Sequence, residues 1–129
     1  MKKIIIALTL MCASGLASAG DCLTSYSTAG TYSCTVPTGI TSVKIEAWGG
    51  GGGVSTFFAQ SMRGSGGGGG GAYCGATFTV TATEALTITV GNGGANRMGG
   101  PSTGYPGGSS SVTGASINGL VAAGGGGGL

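Results

Sequence analysis

From residue 31 onward, apolar and polar positions alternate in short bursts. Tyr32, Cys34 and Val36 fall on one side of an extended chain, and Thr31, Ser33 and Thr35 on the other. Successive side chains of a strand point to opposite faces, so this burst predicts a half-buried strand. Pro37-Thr38-Gly39 breaks it. Residues 42–48 alternate again, with Val43, Ile45 and Ala47 facing one way and Lys44, Glu46 and Trp48 the other. The two bursts are expected to pair as a hairpin. In residues 73–81, Phe78 and Val80 oppose Thr77, Thr79 and Thr81, and Ala82-Thr83-Glu84 reads as a turn. Leu86, Ile88 and Val90 then alternate with Thr87 and Thr89, which predicts a second hairpin rich in β-branched residues. Residues 110–113 form a weaker strand signal, and Asn118-Gly119 predicts a tight turn between Ser116-Ile117 and Leu120-Val121. No apolar period of 3.6 follows residue 19, so no helix is expected there. The expected core is Tyr32, Val36, Ile40, Val43, Ile45, Trp48, Phe78, Val80, Leu86, Ile88, Val90, Ile117, Leu120 and Val121, a thin set for two layers.

Glycine complicates this all-β picture. The chain holds 32 glycines, and residues 49–53, 66–71 and 124–128 are uninterrupted runs. Alone, each run reads equally well as a flexible linker or as an ordered left-handed helix of the polyproline II type. Such a helix has three residues per turn and about 3.1 Å rise. Helices of this kind packed side by side need glycine, because side chains would hold the backbones apart. Collagen is excluded, since no G-X-Y period appears and the chain has 3 prolines. Residues 91–108, mixed in Gly, Asn, Pro and Ser, read as a long loop.

The N-terminus has the layout of an export leader. Lys2 and Lys3 precede an apolar stretch from residue 4 to residue 13, and Ala17-Ser18-Ala19 is a small-x-small cleavage signal. The apolar run is shorter than the roughly 20 residues a spanning helix needs. Cleavage is expected after Ala19, leaving residues 20–129 as one domain with no stable membrane span. That product balances Lys44, Arg63 and Arg97 against Asp21, Glu46 and Glu84, and the whole-chain charge of +2 comes from the leader. No basic patch is present, which argues against nucleic acid as a partner. Secreted, periplasmic or surface locations all oxidise thiols, so pairing is expected. Cys22 and Cys34 flank a strand-turn-strand and are the favoured bridge. Cys74 is then a free or intermolecular thiol, although its pairing with either of the others stays open.

The stretch Val36-Pro37-Thr38-Gly39-Ile40-Thr41-Ser42-Val43-Lys44-Ile45-Glu46-Ala47-Trp48-Gly49-Gly50-Gly51-Gly52 resembles the opening of a glycine-rich domain family. That family occurs in phage tail-fibre proteins, adhesins and bacterial surface or exported proteins. Gly71-Ala72-Tyr73, Phe78-Thr79-Val80-Thr81, Leu86-Thr87-Ile88-Thr89-Val90-Gly91 and Gly107-Gly108-Ser109-Ser110-Ser111-Val112 extend the likeness to residues 32–128. The resemblance implies short β-hairpins supporting packed polyglycine II helices, a sandwich whose loops make the contacts. A leader and cysteines depart from a tail-fibre part and suggest a bacterial exported relative. Each glycine run also leaves or enters a strand, so the three runs are expected to lie within backbone contact of one another.

Catalysis is not expected. The chain has no histidine, which removes most general-base and metal-ligand schemes, and no cofactor or metal is implied. No Lys follows a glycine run as a phosphate-binding loop requires. The candidate ligand-binding residues lie between the runs: Phe57, Phe58, Met62 and Arg63 in one segment, and Asn96, Arg97, Met98 and Tyr105 in the other. Aromatics and Arg are the types enriched at interaction hot spots. Trp48 ends a strand and is read as structural. The leading expectation is a non-enzymatic binding or adhesion module for a cell-surface glycan or protein. The alternative is a self-associating matrix or filament protein, with the homo-oligomeric state left open.

Overall fold

The computed structural model describes residues 3–8, 20–56, 66–98 and 103–129. The alternating bursts fold as strands, and no helix occurs among the described residues. In chain order these are β1 (Lys3–Leu8), β2 (Ser25–Tyr26), β3 (Gly30–Thr35), β4 (Ser42–Trp48), β5 (Ser55–Thr56), β6 (Tyr73–Thr79), β7 (Ala85–Val90), β8 (Arg97–Met98), β9 (Ser110–Gly114) and β10 (Ile117–Ala122). One sheet runs β2-β1-β4-β6 and a second runs β10-β9-β7-β3, while β5 and β8 form a separate two-stranded ribbon.

The inward faces are the ones the alternation marks. Cys34, Val36, Val43, Ile45, Ala47, Val80, Leu86, Ile88 and Val90 are all buried in one core. Fully burying a Val, Leu or Ile is worth about 1.5–3 kcal/mol, so this shared core is what holds the two sheets together. Both expected hairpins are absent, however. β3 pairs with β7 and β4 pairs with β6, each antiparallel, so successive strands lie in opposite sheets. The connections after β3 and after β6 cross from one sheet to the other. They are tied side by side: Thr83 donates its amide to Val36 O, Val36 donates to Glu84 O, and Val80 donates to Thr41 O, each at 2.9 Å. Crossing lets consecutive apolar faces oppose each other across the core.

The turn expected at Asn118-Gly119 is also displaced. β9 and β10 are joined at residues 115 and 116, and the register shifts between Ile117 and Leu120. Asn118-Gly119 sits in that bulge, where Gly119 takes a φ of +95°. The shift sends Leu120 and Ala122 inward and Val121 outward, so Val121 leaves the expected core. Trp48 is half-buried on the outer face of β4 rather than in the core. The core gains Val112 on β9, and Ile4 and Ile6 on β1. Residues 3–8, in the stretch expected to be a leader, therefore supply a strand between β2 and β4.

The glycine runs are ordered, and there are five segments instead of three. Residues 49–53 continue β4, residues 66–72 lead into β6, residues 91–95 continue β7, residues 104–108 precede β9 and residues 123–129 continue β10. The region read as a loop supplies two of the five. Residues 49–53 lie at the centre. Gly49 and Gly52 donate to Ala72 O and Gly69 O, an antiparallel pairing. Gly50 and Gly53 donate to Gly108 O and Tyr105 O, also antiparallel. Gly125 and Gly128 donate to Gly50 O and Gly53 O, and Gly94 and Arg97 donate to Gly51 O and Val54 O, both parallel. Every pairing repeats at an interval of three residues, the turn of a polyglycine II helix. None of these array glycines has a positive φ. Glycine is needed for space instead: a Cβ on Gly52 would overlap the carbonyl of Gly126, and one on Gly53 that of Ala95.

Candidate functional site

The array carries two chain segments away from the sandwich. Residues 49–53 and 91–95 run parallel, so both deliver their following residues to the same far end. There β5 and β8 pair in parallel, with Ser55 opposite Arg97 and Thr56 opposite Met98. At about 3.1 Å per residue, a five-residue segment holds this tip roughly 15 Å beyond the strands. Residues 104–108 start from the same end, bringing Tyr105 alongside.

Four of the expected binding residues, Asn96, Arg97, Met98 and Tyr105, are described there. Arg97 places its Cζ 5.5 Å from the centroid of the Tyr105 ring, within cation–π range. Tyr105 is 50% exposed and Met98 72%. The main chain of Tyr105 is fixed twice, accepting from Gly53 N at 2.8 Å and donating to Ala95 O at 3.1 Å. Asn96 has a supporting role, its Oδ1 accepting from the amide of Val54 at 3.1 Å and so joining the two segments. Ser55 is fully buried between them, and its Oγ has no hydrogen-bond partner among the described residues. Phe57, Phe58, Met62 and Arg63 lie outside the described residues. Among the described residues no group of three or more His, Cys, Asp or Glu could hold a metal ion.

Elsewhere the cysteine reading holds: Cys22 bridges to Cys34, and Cys74 is free and half-buried on β6. A second surface group escaped the sequence reading. On the outer face of the β4–β6 pair, Trp48 stands opposite Tyr73 with ring centroids 5.0 Å apart. Tyr73 donates its hydroxyl to Glu46 Oε1 at 2.7 Å, and Lys44 Nζ lies 3.4 Å from the same oxygen. The Tyr73 hydrogen bond does most to lower the Glu46 pKa, burial opposes it and the Lys44 charge adds to the lowering, while the same hydrogen bond pushes the Tyr73 hydroxyl up. The alternation does put Lys44, Glu46 and Trp48 on one face. Only the true partner strand reveals that Tyr73 completes the group.

Glu84 is the other acid in use. It accepts from Ser116 N and Ser116 Oγ at 2.7 Å and from Thr81 N at 3.0 Å, stapling the β6–β7 connection to the β9–β10 turn. These bonds, led by the Ser116 amide, lower its pKa. Both glutamates thus accept hydrogen bonds within the fold.

The fold defines an all-β sandwich extended by a polyglycine II array. The chain belongs to the glycine-rich domain family, whose model matches residues 26–129. No curated protein and no solved structure matches it.

Proposed function

We propose that this protein is an exported, non-enzymatic binding module that uses the far tip of the array to contact a cell-surface glycan or protein. One observation carries the reading. The described starts of the two segments that carry the candidate binding residues are brought together at one end of a stiff support, in parallel pairing at Ser55–Arg97 and Thr56–Met98. Rigid support lowers the ordering cost of binding, and exposed Tyr and Arg suit receptor contact. The Cys22–Cys34 bridge supports an oxidising location. The test is binding of the protein, purified from the exported fraction, to glycan arrays and to bacterial surface fractions. Binding that falls on Arg97→Ala and Tyr105→Ala supports the reading, and silence on every surface overturns it.

A second reading, self-association, has its own support. β6 is an edge strand of its sheet and carries the free Cys74. Open edges template pairing. Sedimentation under oxidising conditions separates the two readings, because a strictly monomeric profile removes the second.

A further inference from the structure

The strand in the middle of one sheet is drawn from the segment that has the layout of an export leader. β1 lies between β2 and β4 and is antiparallel to both. Its register with β4 spans the whole strand, with Ile4 opposite Ala47, Ile6 opposite Ile45 and Leu8 opposite Val43. Ile4 and Ile6 are 0% exposed and belong to the common core. The family match begins only at residue 26, so it takes in β3 to β10 and leaves β1 out. Cleavage after Ala19 would remove a central strand from between two strands that stay.

We propose that removal of the leader turns this position into a strand-acceptor site. Its occupant is an extended segment of another exported polypeptide, with aliphatic residues at alternate positions, running antiparallel to β4. The proposal rests on the exported reading above. The slot's chemistry selects the occupant. Its wall is the β4 main chain, whose amides and carbonyls now bonded to β1 would be bared, and another strand satisfies them all. Its inward floor is flanked by apolar side chains: Val43, Ile45 and Ala47 of β4 and Tyr26 of β2 are buried with β1 in place. Only side chains at every second position of an added strand reach that floor. The width admits one strand. Neighbouring strands sit about 4.8 Å apart, so where β2 flanks the slot, opposite residues 4 and 5, there is room for a single chain. Nor does a second copy offer a strand of the needed length: removal of β1 unpairs only β2, which has two residues, and every other strand keeps a partner. On the outer face Lys44 and Glu46 flank the slot, so the occupant's outward positions can be polar.

The full chain is expressed in a secreting host and purified from the exported fraction. Intact mass reads the processing. A labelled peptide of residues 1–10 is then titrated in by anisotropy, and hydrogen exchange is followed across residues 42–48. The expected result is a chain starting at Gly20 that binds the peptide, with exchange at residues 42–48 slowed about tenfold or more. The same peptide carrying Ile4→Asp and Ile6→Asp is expected to bind at least about tenfold more weakly, because a buried charge would face the floor. A processed chain that ignores the peptide, binds both peptides equally, or is a dimer already protected at residues 42–48 overturns the acceptor site alone. A retained leader in the exported fraction overturns the acceptor site alone, whereas a chain missing from that fraction overturns the acceptor site and the export reading together.

Discussion

Gly53 donates its amide to the carbonyl oxygen of Tyr105 at 2.8 Å. The ring that meets Arg97 is thus carried on a backbone fastened to the central array segment. Support and display separate at these two residues. Tyr105→Ala removes a half-exposed ring and keeps the main-chain bond, so the melting temperature should stay within a few degrees while surface binding falls. Gly53→Ala drives a Cβ into the Ala95 carbonyl. It should cost about 1–3 kcal/mol, as overpacking does. Thermal unfolding and binding measured on both variants check the separation. Equal loss of stability in both would contradict it.

The Cys22–Cys34 bridge pins the chain before β2 to β3, where Cys22 also donates its amide to Thr35 O at 3.0 Å. Closing a loop of this size by a disulfide is worth about 2–4 kcal/mol. Cys22→Ala with Cys34→Ala should lower the denaturant midpoint accordingly. Reductant should shift the parent protein by a similar amount and leave the double variant unmoved.

Glu84 makes stability pH-dependent. Its folded pKa lies below its unfolded value. It therefore contributes stability above the ordinary carboxylate range, and loses that contribution as pH falls through the folded value. Unfolding midpoints should drop below about pH 4, and Glu84→Gln should flatten part of the drop. Glu46 shifts in the same direction. Its carboxylate accepts one hydrogen bond, from Tyr73, where that of Glu84 accepts three, so Glu46→Gln should have the smaller effect.

Much of the sandwich was legible because a strand writes its buried face as alternation. Val43, Ile45 and Ala47, and Leu86, Ile88 and Val90, are inward as the pattern demands. Pairing was not legible. Alternation says which face is buried but not which strand lies alongside, so the two expected hairpins gave way to β3–β7 and β4–β6. That error also hid Tyr73 from Trp48. Asn118-Gly119 signals a positive φ, and a bulge satisfies that as well as a turn does. Two array segments were missed for a steric reason. Only faces turned toward a neighbour must be bare. Gly91 and Gly94 fill that need, and so do Gly104 and Gly107. Asn92, Ala95, Tyr105 and Pro106 occupy the other positions, and the pattern no longer reads as a run. At the centre four neighbours crowd in, and a Cβ at Gly49, Gly50, Gly52 or Gly53 would overlap a backbone carbonyl, with Gly51 alone in ordinary contact. For the tip, composition pointed to residues 96–98 and 105, but their meeting depends on the parallel course of two array segments.

The glycine runs form a packed array whose hydrogen bonds repeat every three residues. An alanine scan of residues 67–71, read by thermal unfolding, tests it most directly. Gly67 and Gly70 face open space, whereas a Cβ on Gly68 or Gly71 would overlap the carbonyls of Gly52 or Gly49. Gly67→Ala and Gly70→Ala should be neutral, or stabilising by about 0.4–1 kcal/mol through the unfolded chain. Gly68→Ala and Gly71→Ala should each lose about 1–3 kcal/mol. A flat profile, with all substitutions equally harmless or equally mildly stabilising, would show the run to be a linker and contradict the account.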